Sequence, residues 1–496
     1  MVKAFRIVGV NSVPMSGLTT VLAPWIGRML DRDEILKAAD AVTQYLRETG
    51  LLIAQASVPA QEVRDGVVEM RVIEGMLGAV RLEVSEGSRL RRTSAERFVS
   101  ALESGDTMRR DNVEQSLLLL NDLPGIRLNA SVSPGARAGS ADLLAIVENQ
   151  GNPLSANLIF DNAGLKQAGE YRVDADLRLR SPLGLGDLLG VRLLSTTTGG
   201  QTLGSLTYGM PLNGLGTRVG LRVTEQHYRL GREFAVLEAH GRQSAISVLA
   251  SHPLLRRSDR NVFLSFSHTR LDFSDRWDAI GFINDTRQQI TGIALTADFR
   301  DAWMGGGLSV LQAQLLAGRV SLNTPLQAAL DAAPGGLNVN GAFTVLRWRM
   351  QRAQAIDARS SLLVSVNGQF ASKNLDAGTE LAAGGPEAVR AYPVGEQYAD
   401  QGHVARIDYR RDLALFESAP TTFSIFVDHA RLRINRDPIS GAGNNLRSLA
   451  GAGFGIRQAL GAGISLQTTF AWRITDRSVT DADRSPRVWI SLVASL

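Results

Sequence analysis

The feature that most restricts this chain is strict alternation of apolar and polar residues, segment after segment, from residue 151 to the C-terminus. In YRVDADLRLR, Tyr171, Val173, Ala175, Leu177 and Leu179 fall on one side, and Arg172, Asp174, Asp176, Arg178 and Arg180 on the other. A strand turns successive side chains to opposite faces, so a period of two describes a sheet with one apolar and one polar surface. TRVGLRV repeats the pattern, with Val219, Leu221 and Val223 set against Arg218 and Arg222. ARIDYRR does so with Ala405, Ile407 and Tyr409 against Arg406, Asp408 and Arg410. The final RVWISLVASL places Val488, Ile490, Leu492, Ala494 and Leu496 on one face. Clusters of Gly, Asn, Asp and Pro separate segments of about ten residues.

A soluble sandwich or solenoid with a polar outer face also alternates. Sandwich domains, however, run to about 100 residues, and residues 151–496 show no break. Nor is there a fixed repeat of the kind a solenoid or propeller needs. A closed barrel of about 16 tilted strands fits the length. Charges also keep off the apolar faces, which lipid would enforce, because an Arg or Lys at the bilayer midplane costs about 2–4 kcal/mol. No stretch reaches the roughly 18 apolar residues of a membrane helix, but barrel strands never look hydrophobic in such a window.

The first 150 residues mix helical and strand periods. Residues 5–10 read as a strand. Asp31 and Glu34 have capping-box spacing, and Ile35, Ala38, Val42, Tyr45 and Leu46 form the apolar face of the helix that follows, stopped at Gly50. VVEMRVIEG then alternates, with Val68, Met70 and Val72 on one side. A second unit repeats the plan. GAVRLEV reads as a strand, Thr93 and Glu96 repeat the cap spacing, and Val113, Leu117 and Leu120 mark a helix ending before Pro124-Gly125. Strands are expected near residues 127–133 and 141–147. A single α+β domain is the alternative. The expected fold class is two α+β units followed by a transmembrane antiparallel β-barrel.

Composition excludes several chemistries. The chain has no cysteine, hence no disulfide, thiol nucleophile or Cys-bound zinc. Its 53 basic and 49 acidic residues leave a net charge of +4, spread along the chain, which gives nucleic-acid binding little support. The six histidines (His227, His240, His252, His268, His403 and His429) form no HExxH. GAGFGIRQ has Ile456 where a dinucleotide loop needs glycine. Asp174 and Asp176 read as a solvated inner face. No catalytic residue, metal or cofactor is therefore expected. The opening MVKAFRIVGVNSVPMSG is interrupted by Arg6 and is a poor signal peptide. Because a barrel protein must be exported, the export signal is expected upstream of Met1 or already removed.

Several local patterns, in order along nearly the whole chain, resemble the two-partner secretion transporters, the haemolysin secretion/activation family of Gram-negative outer membranes. YLRETGLLIAQASVPAQEVRDGVVEMRVIEG, through Pro59, Gln61, Asp65, Gly66, Glu74 and Gly75, resembles the family's first periplasmic POTRA domain. DLPGIRLNASVSPG resembles the second. FDNAGLKQAGEYRVDADLRLRSPLGLGDLL resembles the opening barrel hairpin. GGPEAVRAYPVGEQYADQG resembles an extracellular loop that folds inward, near residues 384–402, with the tetrad Val389, Arg390, Ala391 and Tyr392. FSIFVDHARL resembles a later strand carrying Phe426 and Asp428. Three features depart from the family: Ala391 and Ala430 stand where glycine is usual, and the chain ends in Leu496 rather than an aromatic.

The resemblance implies POTRA-like domains at 1–78 and 79–150, a barrel over 151–496, and a contact between Arg390 and Asp428. Parity agrees with that contact, since it turns Phe423, Ile425 and Val427 outward and Phe426 and Asp428 inward. The implied activity is secretion of a large partner exoprotein, unfolded in transit. Outer-membrane lipid, periplasmic chaperones and the barrel-assembly machinery are the other implied partners. An insertase of the same superfamily often carries more POTRA units, and a general porin needs none.

Overall fold

The computed structural model describes residues 1–414, 419–439, 441, 443–461, 463–481 and 484–496. Its first unit contains β1 (Ala4–Val8), α1 (Met15–Leu22), α2 (Arg32–Glu48), β2 (Gln55–Ser57) and β3 (Val67–Ile73). The capping box at α2 is formed: Asp31 Oδ1 accepts from Glu34 N at 2.8 Å, and Glu34 Oε2 accepts from Asp31 N at 3.3 Å. β3 lies between β1, which is parallel to it, and β2, which is antiparallel. The alternation in β3 does what the sequence asks. Met70 and Val72 are buried with Leu18, Leu22, Ala38, Val42 and Leu46 of the two helices.

The second unit contains β4 (Met76–Val84), α3 (Arg92–Val99), α4 (Arg110–Asn121), β5 (Ile126–Pro134) and β6 (Ser140–Asn149), in the sheet order β4-β6-β5. The capping box expected at Thr93 and Glu96 does not form. The helix begins two residues earlier, at Arg92 with Arg91 at the N-cap, so Thr93 lies inside its first turn and no side chain caps it. Glu96 instead accepts from Arg92 Nε at 2.9 Å. The start is set from outside: Leu90 is buried, and Arg91 N donates to Gly184 O at 3.0 Å on the barrel. The two units are joined by Leu52 N to Met108 O (3.1 Å), Met108 N to Gly75 O (3.0 Å) and Arg110 N to Gly50 O (2.8 Å).

The rest of the chain is strand-rich. β7 (Leu154–Asp161), β8 (Arg172–Arg180), β9 (Leu188–Thr196), β10 (Gln201–Pro211), β11 (Arg218–Arg229), β12 (Ala239–Arg256), β13 (Arg260–Trp277) and β14 (Phe282–Asp301) come first. β15 (Gly307–Leu322), β16 (Gly341–Ala355) and β17 (Ser360–Ala371) follow, then a long loop with the short pair β18 (Leu381–Ala382) and β19 (Tyr398–Ala399). β20 (Gln401–Leu413), β21 (Thr421–Arg433), β22 (Leu446–Gly461), β23 (Ile464–Arg473) and β24 (Arg487–Ser495) complete it. Among the described residues, sixteen of these strands pair in order, and β24 pairs antiparallel with β7 to close a barrel. Asn162 secures the seam: its Nδ2 donates to Val488 O at 2.9 Å and its Oδ1 accepts from Ile490 N at 2.8 Å.

The outer surface is apolar where the sequence alternates. Leu177, Leu193, Leu221, Ile246, Ile293, Leu315, Ile425 and Val427 are all exposed, whereas Asp174, Gln288, Asp408 and Asp428, on the inner face, are buried. No described helix is long and apolar enough to cross a membrane. Strands closed on themselves satisfy every spanning backbone group without one.

The second unit is pinned to one end of the barrel. Arg256 donates to both oxygens of Asp122 at 2.8 Å, and Arg257 Nη2 to Asp111 Oδ2 at 2.7 Å. The long loop over residues 372–400 leaves from the opposite end.

Two predictions follow from this architecture. Leu221→Arg puts a charge into lipid and is expected to cost about 2–4 kcal/mol of folding in bilayers. Thr224→Arg, on the inner face, is expected to fold nearly as well as wild type, and refolding into vesicles under urea compares the two. In the first unit, Glu74 accepts from Asn11 N at 2.7 Å, Ser12 N at 2.6 Å and Ser12 Oγ at 2.7 Å. Burial pushes its carboxyl up, but those bonds and nearby Arg109 outweigh it and hold it below the ordinary glutamate value. A depressed carboxyl stabilises the fold fully above its unfolded value, about 4.3, and that gain disappears as pH falls through the folded value. Glu74→Gln should therefore lower the thermal midpoint of this unit at pH 7, with the gap closing below about pH 4.

Candidate functional site

The long loop turns back into the barrel. Its base is the antiparallel pair β18–β19. Its tip is folded by Gly385 N to Tyr392 O (3.1 Å), Tyr392 N to Val389 O (3.1 Å) and Val389 N to Ala383 O (3.3 Å). Gly385 has φ +105°, a conformation that suits glycine, and a Cβ there would stand 2.9 Å from Val394 Cγ2. All four tetrad residues are buried: Val389, Arg390, Ala391 and Tyr392.

Arg390 meets Asp428 as parity and resemblance led us to expect. Its Nε donates to Oδ2 at 2.8 Å, its Nη2 to Oδ1 at 2.6 Å, and its backbone N to Oδ2 at 3.0 Å. A planar guanidinium matches a carboxylate in this two-pronged way. The sequence reading missed the second carboxylate. Asp408 on β20 accepts from Nη1 at 2.7 Å and Nη2 at 3.2 Å. Phe426 lies against the same guanidinium, with Cζ 3.4 Å from the ring centroid. Arg406 stands 3.8 Å from Asp428 Oδ1. Arg390, Asp408 and Asp428 are buried, and the partly exposed Arg406, which also stands 3.9 Å from exposed Glu387, brings the charge among these four to zero.

The remaining contacts come from distant strands. Trp489 Nε1 on β24 donates to Arg390 O at 2.7 Å. The hydroxyl of Tyr392 donates to Asp476 O at 2.7 Å. Ala391, where the family has glycine, packs on Gly451 of β22. A Cβ at Gly451 would lie 2.5 Å from Ala391 Cβ, so the space surrendered on the loop is recovered on the strand. Ala430 is buried in the same cluster of small and apolar residues. Glu396 forms a second anchor that the sequence did not reveal. It is buried, pairs with Arg447, and accepts from Ser478 Oγ (2.8 Å), Val479 N (3.0 Å) and Thr480 Oγ1 (2.7 Å).

The six POTRA-motif residues lie in the N-terminal unit and support its turns and edges. Gln61 pairs with the backbone of Glu69 on β3, giving and accepting bonds of 2.7 Å, and also donates to Pro59 O at 3.3 Å. Asp65 and Gly66 have φ of +54° and +76° in the turn before β3. Gly66 O accepts from Lys3 N at 2.7 Å. Glu74 binds the segment before α1 as described, and Gly75 lies against Ile53, where a Cβ would be 2.3 Å from Cγ1.

A closed sixteen-strand barrel, preceded by two small α+β units and holding an inward loop, defines an outer-membrane transporter. Residues 140–458 match the haemolysin secretion/activation protein family (ShlB/FhaC/HecB), and residues 1–75 match the ShlB-type POTRA domain. The chain belongs to that family: it is a two-partner secretion translocator of the outer membrane, with its POTRA region in the periplasm. The heme/hemopexin transporter protein HuxB of Haemophilus influenzae is 25% identical over 419 residues, covering 83% of this chain and 72% of HuxB. The outer membrane transporter CdiB of Escherichia coli is 27% identical over 188 residues, covering 36% of this chain and 31% of CdiB. The solved CdiB structure from Escherichia coli superposes with a TM-score of 0.81 at 19% identity, over 100% of this chain and 90% of CdiB. CdiB from Acinetobacter baumannii gives 0.70 at 15% identity, with the same coverage of both chains.

Removing one member of a buried ion cluster strands the others at a cost of about 3–5 kcal/mol. Arg390→Ala and Asp428→Ala are each expected to release the loop and cut secretion severalfold, with barrel assembly retained. Asp408→Ala, which removes fewer bonds, should have the smaller effect. A double-mutant cycle on secretion, with membrane levels measured alongside, should show that Arg390→Ala and Asp428→Ala are not additive. Additive losses would mean that the loop is held elsewhere.

Proposed function

We propose that the POTRA region captures the unfolded exoprotein along a sheet edge, that the chain then passes along one wall of the lumen, and that the Arg390 cluster latches the loop against the other wall. The observation that carries this reading is the contrast between the two walls. The loop tip packs on β20, β21, β22 and β24 through Asp408, Asp428, Gly451 and Trp489. Across the lumen, Ser251, Ser265, Ser267, Gln312 and Gln314 of β12, β13 and β15 line an open cavity of about 350 Å³. Apart from Arg218 at its edge, this lining is uncharged and offers an extended polypeptide few strong sites at which to stall.

Capture is assigned to β5. It is an edge strand of nine residues, exposed over nearly its whole length. An unpaired edge can receive an extended segment through backbone bonds with little demand on its side chains. Each unit has one three-stranded sheet, and because β4 begins at Met76 the second sheet starts slightly before the expected boundary of 1–78 and 79–150. Within this reading Arg390, Asp408 and Asp428 serve the latch and are spent on one another. Chaperones and the barrel-assembly machinery serve its own export, and outer-membrane lipid surrounds it.

The two steps separate experimentally. Neighbouring residues in a strand point their N–H groups to opposite sides, so of the two substitutions Ala130→Pro and Ser131→Pro one blocks the free edge while sparing β6 and the other is the control that breaks a bond to β6. The edge-blocking variant is expected to lose binding of the partner's unfolded N-terminal segment. Ser267→Trp narrows the open wall and should leave binding intact while lowering secretion severalfold at equal membrane levels. Unchanged binding in both proline variants would remove β5 from the pathway, and unchanged secretion by Ser267→Trp would remove the wall.

A further inference from the structure

The strands that hold the latch carry, on their outer side, charge that the latch does not use. On β20 and β21 the residues alternating with Asp408 and Asp428 face away from the lumen. Toward the loop-bearing end these are His403, His429, Arg431 and Arg433. His403 lies directly across the ladder from Arg431, and Ser448 of β22 lies on Arg431's other side. The two imidazole rings are 5.9 Å apart, and Ser448 Oγ is 3.3 Å from His429 Nε2. Arg431 and Arg433 are both exposed. Among the described residues, neither has a carboxylate within ion-pair distance.

Some outward arginines of this barrel are paired instead. On β13 and β14, Arg270 and Arg287 share Asp272 at 2.9 and 2.5 Å. The cluster on β20–β21 is therefore not part of a surface ion network. Immediately below it, Ile407, Ile425 and Val427 are each about half exposed and form part of the apolar band. A basic, hydrogen-bonding surface set above an apolar one is complementary to an anionic amphiphile. Guanidinium groups receive phosphate oxygens in a planar fork.

We propose that this face docks a phosphorylated glycolipid of the outer leaflet. Arg431 and Arg433 take the phosphate, His403 and Ser448 bond the headgroup, and the acyl chains lie along Ile407 and Val427. The lipid then braces from outside the two strands whose inner faces hold Arg390. The headgroup position also explains why two bare arginines are tolerated on a lipid-facing surface, since their cost falls to about 0–1 kcal/mol near the interface.

The test uses the purified full chain in detergent, titrated with bisphosphorylated lipid A and with the same lipid stripped of phosphate, bound lipid being counted by native mass spectrometry. Wild type is expected to retain the phosphorylated lipid. Arg431→Gln with Arg433→Gln should weaken it about thirtyfold, and Arg433→Gln alone about fivefold, at roughly one unit of surface-charge attraction per arginine. The single change lies at the strand end and preserves the test should the double variant fail to fold. Arg319→Gln on β15 should bind as wild type does, and the stripped lipid should bind all variants equally weakly. Inorganic phosphate alone should leave no retained ion. The proposal is overturned if the arginine variants bind lipid A within about twofold of wild type, if the stripped lipid binds as tightly, or if inorganic phosphate is retained as well as the lipid.

Discussion

A strand that crosses hydrocarbon has no water with which to satisfy its N–H and C=O groups, and each one left bare costs several kcal/mol. Every other property of this molecule is arranged around that constraint. It demands closure, which β24 and β7 provide, with Asn162 bonding across the seam. Closure creates an inside, and alternation then makes that inside polar wherever the outside is apolar. The lumen is thus a by-product of satisfying the backbone, and its polarity makes a buried, charged latch affordable within a membrane.

The latch obeys a stricter rule than the wall around it. Most inner charges are partly wet, such as Arg192 beside Asp174. Arg390, Asp408 and Asp428 are nearly inaccessible. Ions withdrawn from water stay ionised only when they are matched. Arg390 alone would leave one of the two carboxylates unbalanced, and Arg406 brings the sum to zero. Small residues permit the approach. The glycines of the 451–455 stretch alternate inward, and a Cβ at Gly453 would strike Phe470 O at 1.9 Å and Phe426 Cζ at 2.7 Å. The stretch that fails as a nucleotide loop is a wall thinned to admit a loop and a ring.

The sequence disclosed faces more readily than neighbours. Parity at residues 171–180 and around Asp428 was enough to sort inside from outside, because it depends only on local backbone geometry. The capping box at Asp31 was equally local. Cross-strand register is not local. Asp408 could be read as inward, but nothing in ARIDYRR says that it lies opposite Phe426. Trp489 is 99 residues from the carbonyl it binds, and Glu396 is more than 80 from Thr480. Such pairs become visible only once the barrel is closed. The mistaken cap at Thr93 has the same origin, since contact with the barrel at Gly184 shifts the start of that helix. Arg390 and Asp428 were named together because the loop and strand resembled known ones, not because spacing required it.

Trp489 belongs to β24, the strand that shuts the barrel against β7. The carbonyl of Arg390 therefore gains this partner only once β24 has been made and is in place. The loop is translated much earlier and must wait for it. A barrel halted before its last strand would have a tip without its keeper, so a seated loop doubles as a record that the cylinder was finished.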